Sequence, residues 1–225
     1  MNAITQLPRS HPLKAAIVDL DGTMVDTVGD FDAALNAMLA DLGLPAVPRD
    51  FIEHTIGKGS ENLIRRTLAR LGAGEDRFEA AMAGYQSHYL KINGEHAAVY
   101  AGVEAGLKRL RDHGLRLACL TNKPGAFAKP LLDAKGLGGY FECVHGGDAF
   151  PRKKPDPLPL LETCRVLGTA PHETLMIGDS SNDAAAARAA GCPVWLVSYG
   201  YNHGEPVHDV DADGVVDRLD QVPLD

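Results

Sequence analysis

Asp19 and Asp21 stand two residues apart where a short apolar run, Ala15-Ala16-Ile17-Val18, stops abruptly. A run of this kind forms a strand buried on both faces. Gly22 then permits a tight turn, and Thr23 adds a hydroxyl beside it. Two carboxylates at the end of a buried strand are costly unless a cation or hydrogen bonds compensate them. The plainer reading is that both acids merely cap the turn. Other apolar runs end in the same way: 115–120 at Thr121-Asn122-Lys123, and 174–177 at Gly178-Asp179. A proline-rich loop carrying Lys153-Lys154 follows the run at 141–144. Carboxylates, a hydroxyl and an ammonium gathered at one place suit a divalent cation plus a phosphoryl group. Hard oxygen donors select Mg²⁺, and no histidine or thiolate occupies these positions to favour zinc.

Gathering them needs a scaffold. From Tyr100 onward the pattern alternates: helices expected over 103–113, 125–136, 158–167 and 182–190 separate strands at 115–120, 141–144, 174–177 and 193–197. Together with the first run, this implies right-handed crossovers and a parallel sheet covered on both faces. Ligands of such sheets bind beyond the carboxyl ends of the strands, where the polar residues above fall. Between the first strand and Tyr100 the pattern is purely helical. Asp26 and Thr27 suit a helix start, and Phe31, Leu35, Met38, Leu39 and Leu42 recur at helical spacing until Gly43 and the 45–48 segment stop them. Leu63, Ile64, Leu68 and Leu71 form a second stripe, and Phe78, Ala81, Met82, Tyr85 and Tyr89 a third. A block this long exceeds an ordinary crossover connection. The expected fold is α/β: a Rossmann-like doubly wound parallel sheet core, residues 1–27 and 97–225, with an inserted α-helical cap domain, residues 28–96.

Composition bounds the function. The chain has 225 residues, 45% hydrophobic, enough for a substantial core. A net charge of −8 argues against a general nucleic-acid surface. No apolar run reaches the roughly 20 residues that a membrane span requires. The first twelve residues read as a loose leader without a signal core, so a cytoplasmic location is expected. Cys119, Cys143, Cys164 and Cys192 are scattered, as expected of buried thiols in a reducing compartment. None of the nine histidines is expected to hold a metal; His203 reads as a surface loop residue, Trp195 as core, Arg65-Arg66 as a solvated helix face. The acidic stretch with Asp209, Asp211 and Asp213 reads as a surface segment. Monomer and homodimer both remain open.

The motifs also carry a family resemblance. Asp19-Leu20-Asp21-Gly22-Thr23, Thr121, Lys154-Pro155 and Gly178-Asp179-Ser180-Ser181-Asn182-Asp183 resemble, in order and spacing, the four motifs of the haloacid dehalogenase superfamily. Met24 stands where that family usually has leucine, a tolerable apolar swap. Thr121-Asn122-Lys123-Pro124, Gly146-Gly147-Asp148, Lys154-Pro155-Asp156-Pro157-Leu158, Ser198-Tyr199-Gly200-Tyr201-Asn202 and Ile56-Gly57-Lys58-Gly59 are similar to those of its bacterial phosphoglycolate phosphatases. The resemblance implies a small phosphate ester as substrate, most simply 2-phosphoglycolate. Asp19 is then the nucleophile, forming an aspartyl-phosphate, and Asp21 the general acid and base. Asp19, the Asp21 carbonyl and Asp179 hold Mg²⁺. Leu20, Gly22, Thr121, Asn122 and Lys154 hold the phosphoryl oxygens, with main-chain N–H groups contributing. Asp183 either orients Lys154 or a metal-bound water, or only starts a helix. Lys58 and Gly59, ahead of a helix beginning near Ser60, are candidates for the substrate carboxylate. A sugar-phosphate mutase like β-phosphoglucomutase would share the aspartate pair and the cap. A phospho-accepting receiver would need neither the second acid nor the cap, and a dehalogenase would not need the acid at Asp21.

Overall fold

The computed structural model describes residues 12–224, so the expected leader lies outside the described residues but for Pro12. β1 (Ala15–Val18) ends at the aspartates, and β2 (Val25–Asp26) leads into α1 (Val28–Asp41), α2 (Arg49–Glu53), α3 (Ser60–Arg70) and α4 (Phe78–Ile92). The chain returns through β3 (Ala98–Val99) to α5 (Val103–Asp112), β4 (Arg116–Leu120), α6 (Gly125–Ala134), β5 (Cys143–His145) and α7 (Leu158–Leu167). β6 (Thr174–Gly178), α8 (Ser181–Ala190), β7 (Val194–Val197) and β8 (Gly214–Val216) complete it.

Six strands form one parallel sheet in the order β5-β4-β1-β6-β7-β8. β1 lies inside it, with the chain winding outward first through β4 and then through β6. This reversal opens a crevice at the carboxyl end of β1. Alternate strand residues serve opposite faces, as the pleat demands. Ala16, Val18, Cys119, Ile177 and Trp195 pack with α5 and α6 residues such as Leu107 and Leu131. Ala15, Ile17, Ala118, Leu120, Met176 and Leu196 pack with Leu160 and Cys164 of α7 and Ala187 of α8. Fully burying each aliphatic chain is worth about 1.5–3 kcal/mol, which is why these short apolar runs suffice to define the strands.

α1 to α4 bury a separate apolar cluster, in which Phe31, Leu35, Met38, Leu63, Ile64, Tyr85 and Tyr89 meet Phe127 from α6. The chain enters and leaves this helical region side by side, because β2 and β3 pair antiparallel, Val25 with Val99 and Asp26 with Ala98. Asp30, fully buried in α1, ties the exit by accepting the N–H groups of Gly94 (2.7 Å) and His96 (2.8 Å).

Several expectations change. β8 is a sixth strand, and the acidic stretch before it folds back on the sheet. There the Asp213 N–H donates to the Val194 carbonyl (2.8 Å), and the Asp213 carboxylate accepts the Val194 N–H (2.8 Å). Asp209, Asp211 and Asp213 are exposed, so the stretch is the surface segment expected, and the carboxylates of Asp211 and Asp213 pair there with Arg188. Thr27 does not cap α1 with its side chain. The Asp26 carboxylate accepts the Val28 N–H at 3.2 Å instead. Arg65 and Arg66 are exposed on α3, as expected, and the Arg65 guanidinium also lies 3.8 Å from the centre of the Phe78 ring. All four cysteines are free thiols, and Cys143 is only half-buried. Trp195 is core, as expected.

Candidate active site

The carboxyl ends of β1, β4 and β6 bring Asp19, Asp21, Thr121, Asn122, Lys123 and Asp179 to one cavity. Asp19 spends one oxygen, Oδ1, on the Leu20 N–H (2.7 Å) and on the Lys154 ammonium (3.0 Å). Its Oδ2 has no hydrogen-bond donor among the described residues, so it is free to attack or to bind a cation. Lys154 is saturated, for its other two protons go to the Leu120 carbonyl (2.9 Å) and Asp183 Oδ1 (2.6 Å). Asp183 Oδ2 meanwhile accepts both the N–H and the hydroxyl of Ser180 and the Asp179 N–H. The two readings of Asp183 are therefore both realised, one on each oxygen: it starts α8 and it positions Lys154.

Asp179 is aimed by the Thr23 hydroxyl on Oδ1 (2.8 Å) and by the Tyr201 N–H on Oδ2 (2.6 Å). Such crowding requires glycine twice. A Cβ on Gly22, whose φ is +82°, or on Gly200 would collide with this carboxylate. Asp19, Asp179 and Asp183 lie within 4.8 Å of one another, faced by a single ammonium. Burial first, then the Asp183 and Asp21 charges, push the Asp19 carboxyl up to about 7 despite Lys154. Burial likewise raises Asp179, with Asp183 and Asp19 adding to it. Burial works to lower Lys154, but Asp183 and Asp19 overcome it and hold the ammonium charged. Excess negative charge, all-oxygen donors and an Asp21 carbonyl with no hydrogen bond among the described residues fit a divalent cation such as Mg²⁺.

Four expected phosphate contacts change, the first being Lys154, whose three protons are already taken. The Gly22 N–H closes the turn on the Val25 carbonyl (2.9 Å), so Gly22 serves by lacking a Cβ rather than by donating. The Leu20 N–H is held by Asp19, whereas that of Asp21 has no acceptor among the described residues. Asn122 is spent as well. Its amide donates to the carbonyls of Gly57 (3.0 Å) and Lys154 (2.9 Å) and accepts the Lys154 N–H (3.0 Å). That ties the 57–59 loop to the lysine loop, and leaves a phosphate contact to the Asn122 main chain. Thr121 Oγ1 accepts the Lys123 N–H at 3.2 Å and keeps its own proton to donate.

Asp21 faces the helical region. Its Oδ1 accepts the Thr27 hydroxyl (2.8 Å) and the Lys123 ammonium (3.0 Å), leaving Oδ2 without a donor among the described residues. Lys123 is 4% exposed. Its ammonium also donates to the Tyr89 hydroxyl at 2.6 Å and sits 4.6 Å from the ring centres of both Phe31 and Tyr89. In sequence Lys123 reads as a strand end and as part of the Thr121-Asn122-Lys123-Pro124 resemblance, with no role of its own. Its one signal is a cation directly after Thr121-Asn122, and the aromatic walls that bury it come from distant helices. Gly57, Gly59 and Ser60 line the cavity, but Lys58 does not. Lys58 instead acts on His203, which burial first and this lysine second hold below the ordinary histidine value. His203 is not a free surface residue: its Nε2 lies 3.1 Å from the Asn182 amide, which also donates to the Gly57 carbonyl at 3.3 Å.

Comparison with known proteins adds ancestry. A family model described as haloacid dehalogenase-like hydrolase matches residues 16–197. A phosphoglycolate phosphatase of Thiobacillus denitrificans is 46% identical over 216 residues, covering 95% of each chain. One of Nitrosospira multiformis is 47% identical over 211 residues, covering 92% of this chain and 93% of its own. Among solved structures, that of a predicted phosphoglycolate phosphatase from Haemophilus somnus superimposes with a TM-score of 0.90 at 31% identity, covering 94% of this chain and 96% of its own.

Proposed function

We propose, since the chain belongs to the family of haloacid dehalogenase-like hydrolases, that it is a phosphoric monoester hydrolase acting on 2-phosphoglycolate through an aspartyl-phosphate. One observation carries this reading. A buried aspartate with a free oxygen, Asp19, stands beside an ammonium, a free hydroxyl and a second acid that also keeps one oxygen free.

Asp19 Oδ2 attacks phosphorus, while the Thr121 hydroxyl and the Asp21 N–H hold equatorial oxygens and Lys154, committed to Asp19, Asp183 and Leu120, adds positive charge beside them. Asp21 Oδ2 gives its proton to the departing alkoxide and later takes one from the attacking water. Asp19, the Asp21 carbonyl and Asp179 would hold Mg²⁺, which screens an anionic nucleophile from an anionic substrate. Residues 28–96 act as a cap domain over the strand ends, and 1–27 with 97–225 as the core. Gly59 brings the start of α3 to the cavity, while Lys58 beside it acts on His203. The cavity measures only about 30 Å³, which favours a small leaving group and requires the cap to open for entry. Four free thiols fit a cytoplasmic enzyme. No helix among the described residues is long and apolar enough to cross a membrane.

A panel of phosphate esters, assayed with Mg²⁺ and with EDTA, tests the reading. It predicts the highest kcat/KM for 2-phosphoglycolate and no turnover with EDTA. Phosphoryl transfer to a sugar hydroxyl in place of phosphate release would identify a mutase instead.

A further inference from the structure

Lys154 has no proton left for substrate, because Leu120, Asp19 and Asp183 take all three. Lys123 is different. Two of its protons go to Asp21 and the Tyr89 hydroxyl, and the third has no acceptor among the described residues. The Tyr89 hydroxyl accepts from Lys123, and its own proton likewise has no acceptor there. Burial, then the Asp21 charge, hold the Tyr89 phenol well above its ordinary value, so that proton stays in place. A buried ammonium and a phenol, each with one uncommitted proton, thus line the cavity on the leaving-group side.

Resting on the phosphatase reading above, we propose that Lys123 with Tyr89 is the receptor for a carboxylate on the leaving alcohol, and that it selects phosphate esters of 2-hydroxy acids. The spacing carries the selection. Lys123 is 3.0 Å from one oxygen of Asp21, and the other oxygen of that carboxylate must meet the ester oxygen. A carboxylate attached one carbon from the ester oxygen reaches Lys123 directly. One carbon more carries it past the ammonium into the wall formed by Phe31, Tyr89 and Phe127, whose rings pack at 5.4 and 4.9 Å. An ester without a carboxylate leaves both protons unsatisfied in a buried site, which is itself a penalty. Lys58, outside the cavity, has no such relation to Asp21.

The test compares kcat/KM for 2-phosphoglycolate, the phosphate ester of 3-hydroxypropanoate and ethyl phosphate in wild type, Lys123→Met and Tyr89→Phe. Methionine keeps the apolar stem between the two rings, and melting curves verify the fold. The wild type should prefer 2-phosphoglycolate to both others. Lys123→Met should lose about tenfold to a hundredfold more on 2-phosphoglycolate than on ethyl phosphate, as one charge-assisted hydrogen bond predicts. Tyr89→Phe should show the same selectivity at about tenfold or less. Equal losses on both esters in both variants would overturn the proposal and leave Lys123 as a positioning residue for Asp21. If Lys123→Met fails to fold, the Tyr89→Phe comparison decides by the same criterion. A wild type with no preference for 2-phosphoglycolate would overturn the substrate reading itself, a separate outcome.

Discussion

The two halves of the cavity are built differently. On the phosphoryl side, Asp19, Lys154, Asp183 and Asp179 are held by one another and by groups on the same sheet edge. On the leaving-group side, Asp21 is held by Lys123 from the end of β4 and by Thr27 at the entry to α1, and Lys123 is in turn capped by Tyr89 of α4. The first half is complete without α1 to α4, whereas the second draws on α1 and α4. Chemistry common to all phosphate esters can therefore stay fixed on the sheet while residues of those helices select the alcohol.

That contrast can be broken most severely at Asp19. Asp19→Asn should lower kcat by at least about 10³-fold on every ester alike, because an amide is a poor nucleophile and a weaker cation ligand. Near-normal turnover in the folded variant contradicts the assignment.

Asp21→Asn should discriminate where Asp19→Asn does not. Loss of the proton donor should slow the first step on an alkyl phosphate by about 10²–10⁴-fold, and far less on an ester of an acidic phenol, whose anion leaves unaided. Single-turnover rates that fall equally for both esters would remove Asp21 from that role.

The phosphoryl side also carries a pH signature. Burial, with Asp183 and Asp21 adding to it, raises the Asp19 carboxyl from 3.8 to about 7 when no cation is present. A carboxylate whose folded pKa exceeds its unfolded value costs stability as pH rises between the two, and the whole cost remains above the folded pKa. Metal-free protein therefore loses stability through this group between 3.8 and about 7. Mg²⁺ should raise the melting temperature more at about pH 8 than at about pH 5, where protons compete for the same oxygens. Equal shifts at both pH values, measured by calorimetry, would count against a cation site at Asp19.

Lys58→Ala belongs to neither half and should give the smallest effect. Its charge acts on His203 rather than in the cavity. kcat/KM for 2-phosphoglycolate should change less than in Lys123→Met, and a larger loss would return the carboxylate to the 57–59 loop.

Much of the first half is legible in the chain itself. Short apolar runs ending in Asp19, Thr121 and Asp179 declare strand, strand end and ligand together, because a polar group at the end of a buried strand must find a partner there. Asp183 can be read in two ways because one carboxylate has two oxygens, and both are used. The second half is hidden. Nothing near Lys123 in sequence announces Phe31 or Tyr89, which reach it only through the packing of α1 and α4. β8 is hidden for a related reason: its three residues are half-buried and follow an acidic stretch in which Asp211 and Asp213 pair with the distant Arg188. The 57–59 loop shows its glycines but not where Lys58 points, since a loop side chain carries no periodicity to read.

Covalent catalysis at Asp19 is the claim on which the rest depends, and trapping the intermediate tests it most directly. The enzyme with Mg²⁺ would be mixed with 2-phosphoglycolate, quenched in acid during the first turnover and reduced with borohydride, which converts an aspartyl-phosphate to homoserine. Peptide mass spectrometry should find homoserine at position 19 and at no other aspartate. Homoserine at another aspartate, or none anywhere while phosphate is released at the normal rate, would contradict the account.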